Sequence, residues 1–290
     1  MMELSAFHAD DKLRSDTVGR LNTCLADGKL KPGPLHWDTD GGSVVGCILH
    51  SEDLLQWELR LGLPQWLAVT LDALCAEQPS ETAAFNFAIS AINAIAPGRN
   101  LAPAGSAVIL KVFDWIATDS PSELPSGIRD ALESVRTLHR RVADRDQVSP
   151  AEWRAVRKSA IALSDSLSDA SKWEQSCATC IETAAWDTQR SPSVVFDTLR
   201  VLRGALIERA IAEFGWDHQA DTAMGELLQL LYDQYVKDSA DPELTVFDML
   251  AKHHPEQDAR LLAKYKVERG AANSSLAQVS SMVLVILSRN

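Results

Sequence analysis

The sequence is poor in the signatures that identify most enzymes. It contains no G-x-x-x-x-G-K-[ST], no G-x-G-x-x-G after a strand, no H-E-x-x-H and no G-x-S-x-G. P-loop nucleotide hydrolysis, Rossmann dinucleotide binding, zincin proteolysis and α/β-hydrolase chemistry therefore lack their motifs. Cysteine is scarce: five in 290 residues, at irregular spacing, an odd count in a chain large enough to fold without staples, so reduced thiols are expected. No apolar run exceeds the six residues Met282–Leu287, against the roughly 20 that a spanning helix needs. Residues 1–26 carry acids and bases throughout, with no apolar stretch of signal-peptide length. A basic surplus is missing too, since 28 Lys and Arg against 40 Asp and Glu leave a net charge of −12. That charge repels nucleic-acid phosphates and anionic headgroups at long range. These absences point to a soluble, cytoplasmic protein with neither nucleic acid nor membrane as partner.

What is present reads as a folded, helical chain. Hydrophobic residues make up 46% and charged residues 23%, which excludes a disordered composition. Apolar residues recur at steps of three and four, the helical period. Ser149-Pro150-Ala151-Glu152 is an N-cap, a proline at the first helical position and a glutamate placed to complete a capping box. Ser191-Pro192 and Asp241-Pro242-Glu243 repeat the cap-then-proline pattern. After Ser191 the stripe Val195, Leu199, Leu202, Leu206, Ala210, Phe214 stays on one face until Gly215 offers a C-terminal cap. Ile128 to Val142 carries a similar stripe, with arginines on its other sides. Further helices are expected at 4–26, 52–61, 65–76, 81–95, 104–117, 216–236, 244–252, 257–268 and 275–287, the last with β-branched residues that also suit a strand. Between Gly28 and Ser51 five glycines and two prolines break the pattern, so 35–37 and 43–50 read as two short strands around a glycine-rich turn. The expected fold is all-α, a multi-helix antiparallel layered bundle with one small β-hairpin near residues 35–50. A division at 1–146 and 147–290 is convenient, though one continuous domain fits equally.

Several short segments resemble an uncharacterised bacterial family to which no activity is attached. They are Ala6-Phe7-His8-Ala9-Asp10, His36-Trp37, Gly42-Ser43-Val44-Val45-Gly46-Cys47-Ile48-Leu49-His50, Trp57-Glu58, Leu61-Gly62-Leu63-Pro64 and Leu67-Ala68-Val69-Thr70-Leu71-Asp72. The resemblance covers about the first 170 residues and is specific between Gly42 and Asp72. Ser43 stands where that family has the first of two cysteines, and Leu71 where it has a glutamate.

The residues able to carry chemistry are His8, Asp10, Cys47, His50, Glu58 and Asp72. A Cys47 nucleophile with a histidine base and an orienting carboxylate would make a hydrolase or transferase. In a strand, however, Cys47 and His50 point to opposite faces, and a buried cysteine beside a helix-entry histidine is the plainer reading. Cys177-x-x-Cys180 puts two thiols on one helix face. A zinc site would have to borrow Cys47 and His50, so two core cysteines are preferred, and no cofactor is expected. The eight tryptophans, spread over nearly every helix, read as packing anchors. His253-His254-Pro255 reads as a helix end. With no catalytic signature, the leading expectation is a non-enzymatic binding or interaction protein presenting a groove between helices, next to the hairpin. Homo-oligomerisation through the apolar C-terminal helix is a further option, set against docking on its own core.

Overall fold

The computed structural model describes residues 4–120, 123–167, 171–239 and 241–289. Among these residues it is all-α with one small hairpin. The elements are α1 (Asp11–Ala26), β1 (Trp37–Asp38), β2 (Gly41–Gly42), α2 (Val44–Leu49), α3 (Leu55–Leu61), α4 (Gln65–Ala76), α5 (Glu81–Ala94), α6 (Ala104–Thr118) and α7 (Ser126–Ala143). They are followed by α8 (Pro150–Ser166), α9 (Lys172–Ala184), α10 (Val194–Glu213), α11 (His218–Leu231), α12 (Val246–His253) and α13 (Pro255–Leu287).

The chain forms two compact units. The first holds residues 1–203 and 276–290, the second residues 204–275. Position 146 falls inside the first unit, where α7 packs on α8. In that unit neighbours in sequence pack on each other, α6 on α7 and α8 on α9, while α1 packs on α2 and α5. Trp57, Trp66, Phe7 and Phe113 are its largest sealed side chains, each removing well over 100 Å² from water. The second unit closes over Trp216, Met224, Leu231, Met249, Leu250 and Leu261.

Local rules explain most boundaries. Ser149 and Glu152 form the expected capping box of α8, and Gly215, at φ 81°, follows α10 in the left-handed region that glycine tolerates. Elsewhere the chain departs from the sequence reading. The N-terminal helix begins at Asp11 instead of residue 4, because Phe7, His8 and Ala9 are left-handed (φ 50°, 51° and 61°). That turn is pinned where Ala6 exchanges backbone hydrogen bonds with Arg99 O (2.9 Å) and Gly98 N (2.7 Å). The segment after Ser191-Pro192 becomes helical only at Val194, and Asp241 caps a turn by accepting from Glu243 N at 3.0 Å while Thr245 caps α12. The two C-terminal helices expected at 257–268 and 275–287 are one 33-residue helix, since 269–274 holds no proline and Gly270 costs only about 1 kcal/mol.

The clearest correction concerns the hairpin. It is two residues per strand, with Trp37 opposite Gly42 and Asp38 opposite Gly41. Ser43–His50 is not its second strand but the short helix α2 and its caps. All six residues of α2 are buried, and a fully buried apolar run carries no period by which strand and helix differ. The helix is chosen by its start: Ser43 Oγ accepts from Gly46 N at 3.0 Å and Asp72 Oδ1 accepts from Val45 N at 2.8 Å.

Among the described residues α13 is the one helix long and apolar enough to cross a membrane, with 39% of that stretch buried within the protein. Its last turns belong to the first unit, where Val279, Val283, Ile286 and Leu287 are core. Arg99 donates to the carbonyls of Leu287 (2.6 Å) and Ile286 (2.9 Å), groups that a helix end otherwise leaves open.

Candidate functional site

Glycine sets the geometry beside the hairpin. A Cβ on Gly41 would lie 2.0 Å from Lys29 O, and one on Gly46 would lie 2.0 Å from His36 O. The strands and α2 therefore press against segment 29–36 at a distance only glycine permits. Lys29 O accepts from Gly42 N at 2.9 Å and fixes the contact.

Between α1 and this block lies a cleft of about 670 Å³. One wall is a stripe of α1 at i, i+4 spacing, Asp16, Arg20 and Cys24, with Gly19 leaving open space beside it. Ser15, Thr23, Asp27, Lys29, Trp37 and His50 complete the lining. His50 caps α2 at φ 52°, its N–H donating to Gly46 O at 2.7 Å. Its ring stacks on Trp37 with centroids 4.5 Å apart and planes 13° from parallel. Trp37 is held in turn by its own N–H, which donates to Glu52 Oε1 at 3.2 Å.

The electrostatics are mixed. Arg20 Nη1 donates to Ile48 O and Arg60 Nη1 to Leu49 O, both at 3.0 Å, so two guanidinium groups sit on the negative end of α2. Asp16 is paired with Lys12 at 2.6 Å. Lys29 is exposed and has no carboxylate partner among the described residues.

The six expected site residues do not converge. Only His50 lines the cleft. His8 is exposed and hydrogen-bonded through Nε2 to Leu59 O at 3.2 Å, and Asp10 is the N-cap of α1, accepting from Lys12 N. Glu58 is half-buried on α3. Asp72 is 3% exposed, with both oxygens engaged by Val45 N and Ser43 Oγ. Burial pushes its carboxyl up to about 7 against the opposing pull of those donors.

Cys47 corrects the expectation of reduced thiols, for it is disulfide-bonded to Cys24. The bond ties the last turn of α1 to α2. Cys75, Cys177 and Cys180 are free and buried. Burial pushes the Cys177 thiol up to about 12, and those of Cys75 and Cys180 higher still, so all three stay protonated at neutral pH. No group of three His, Cys, Asp or Glu side chains among the described residues could hold a metal ion.

A second polar constellation lies wholly inside the first unit. His139, fully buried, receives a hydrogen bond at Nδ1 from Ser106 Oγ (3.0 Å) and donates from Nε2 to Ala184 O (2.8 Å), the carbonyl fixing the tautomer. Phe113 and Trp153 meet its ring edge-on. A serine–histidine pair in this arrangement resembles catalytic machinery, but both residues are 0% exposed, and no substrate reaches them.

Sequence reasoning missed Cys24, Arg20 and Lys29. The i, i+4 recurrence on α1 was visible, but a helix face of mixed charge has the same pattern as an ordinary solvated one. The chain matches no family model, no curated protein and no solved structure.

Proposed function

We propose that this is a non-catalytic, cytoplasmic binding protein of bacterial origin that holds a small planar anion in the cleft between α1 and the hairpin. The observation that carries the reading is the stacked Trp37–His50 pair lining the same cleft as Arg20 and Lys29. An aromatic surface buries a flat ligand, and the two cations, set among Asp27 and the Lys12-paired Asp16, supply the donors for a carboxylate or phosphate on it. The hydrolase or transferase alternative is weaker, because the sulfur it needs as a nucleophile is bonded to Cys24. We read the last turns of α13 as part of the first unit's core, not as an oligomer surface, because Val279, Val283, Ile286 and Leu287 are buried there and Val285 is the one large apolar side chain of residues 276–287 that is exposed.

The test is ligand-observed NMR with aromatic carboxylates, indole carboxylates and mononucleotides, followed by titration calorimetry. Binding of at least one class is expected, weakened tenfold or more in Trp37→Ala and in Arg20→Gln. If no class binds below about 1 mM, or if both variants bind as the parent does, the reading is wrong.

A further inference from the structure

The two sulfurs of the disulfide differ in access. Cys24 lines the cleft and is 5% exposed, whereas Cys47 is 0% exposed and lies outside the lining. Cys47 Sγ lies 3.5 Å from the carbonyl oxygen of Gly42 and 3.9 Å from that of Lys29. A thiol formed there has two acceptors for its S–H. Arg20 and Lys29 line the same cleft as Cys24, together with Asp27 and with Asp16, the latter already paired with Lys12, and the two cations would attract a thiolate that also carries carboxylates.

We infer that the cleft is a thiol–disulfide exchange site that takes a small anionic thiol of the glutathione class at Cys24. The incoming thiolate attacks Cys24 Sγ, forming a mixed disulfide. The Cys24–Cys47 bond breaks, and its electron pair leaves on Cys47, which takes a proton from water to become a buried thiol. A second thiolate attacking the mixed disulfide releases Cys24 as a thiolate and carries away the oxidised small disulfide. Two small thiols are oxidised and one protein disulfide is reduced. Exchange of this kind suits a disulfide in a reducing compartment, where such bonds are usually transient or redox-sensing. It uses the same cleft as the proposed ligand but does not depend on that ligand's identity.

The experiment incubates the oxidised full chain with millimolar reduced glutathione, quenches with N-ethylmaleimide at intervals and maps the adducts by peptide mass spectrometry. Glutathione is expected on Cys24 at least tenfold above Cys47, with Cys75, Cys177 and Cys180 unmodified in the folded protein. Lys29→Glu is expected to slow the reaction with glutathione about threefold or more and to slow that with 2-mercaptoethanol, whose thiolate carries no carboxylates, by a clearly smaller factor. Adducts on Cys47, or equally on both, would overturn the inference. So would a disulfide that yields only after unfolding in urea, an equal effect of Lys29→Glu on both thiols, or the absence of the bond from air-oxidised protein. A Cys24 adduct without any aromatic-anion binding would sink only the proposed function; binding without the adduct would sink only this inference.

Discussion

The carboxylate of Asp72 accepts a hydrogen bond from Ser43 Oγ at 2.8 Å while its other oxygen holds Val45 N, so one buried acid on α4 fixes the start of α2. Everything on α2 depends on that start, including His50 at its far end. Burial raises the folded carboxyl from 3.8 to about 7, so between those values the native state binds a proton that the unfolded state does not. Stability from this group is present at low pH and is lost as pH rises from about 4 to about 7, by at most roughly 4 kcal/mol. Asp72→Asn cannot titrate. Its loss of stability, read by urea unfolding, is expected to be larger at pH 4.5 than at pH 8. An equal loss at both would show that Asp72 is ionised throughout.

His139 has the opposite sign. Burial lowers its folded pKa from 6.5 to about 4 against the opposing hydrogen bond to Ala184 O. Below pH 6.5 the unfolded chain takes up a proton that the native state refuses, so stability falls as pH drops from about 6.5 to about 4, by roughly 3 kcal/mol at most. His139→Gln is expected to cost stability at pH 8 through lost packing and hydrogen bonds, and to cost less at pH 4.5. In the parent protein the two slopes oppose each other. The Asp72 and His139 variants should therefore change the pH dependence of unfolding in opposite directions.

How much of this was legible beforehand depends on how local the cause is. The bounds of α4, 65–76, follow from periodicity between Pro64 and the polar Glu77, and the Ser149 box depends on four consecutive residues. The helix at 44–49 was not legible, since its deciding acceptor, Asp72, lies 27 residues beyond Val45. Nor was the disulfide, whose partners are 23 residues apart and meet only because glycines let segment 29–36 approach the hairpin. His50 entered both the expected site and the observed cleft. The other five candidates were separated by packing that no short pattern encodes.

Two glycines offer a matched pair. Gly62 ends α3 at φ 61°, and a Cβ there would lie 2.0 Å from Ser5 O, at the entrance to the left-handed turn of Phe7 and His8. Gly62→Ala should cost more than about 2 kcal/mol, from left-handed strain plus displacement of that backbone. Gly225, exposed in the middle of α11, has nothing within 4 Å of its hypothetical Cβ. Gly225→Ala should stabilise by about 0.5–1 kcal/mol. Thermal unfolding of the two variants checks both, and a neutral Gly62→Ala would mean that the 5–9 turn is not docked as described.

The disulfide closes a loop of 23 residues, for which chain entropy predicts about 3 kcal/mol of stabilisation. Thiol titration of the unfolded, unreduced protein should find three free cysteines (Cys75, Cys177 and Cys180), and five after reduction. Cys24→Ser leaves Cys47 beside the carbonyls of Gly42 and Lys29, so its thiol keeps acceptors and the penalty should stay near the entropic figure. Cys47→Ser puts a hydroxyl in a site with 0% exposure and should cost at least as much. The order matters more than the size: if Cys24→Ser proved the worse by more than about 1 kcal/mol, packing at the end of α1 and not loop closure would be what the bond secures.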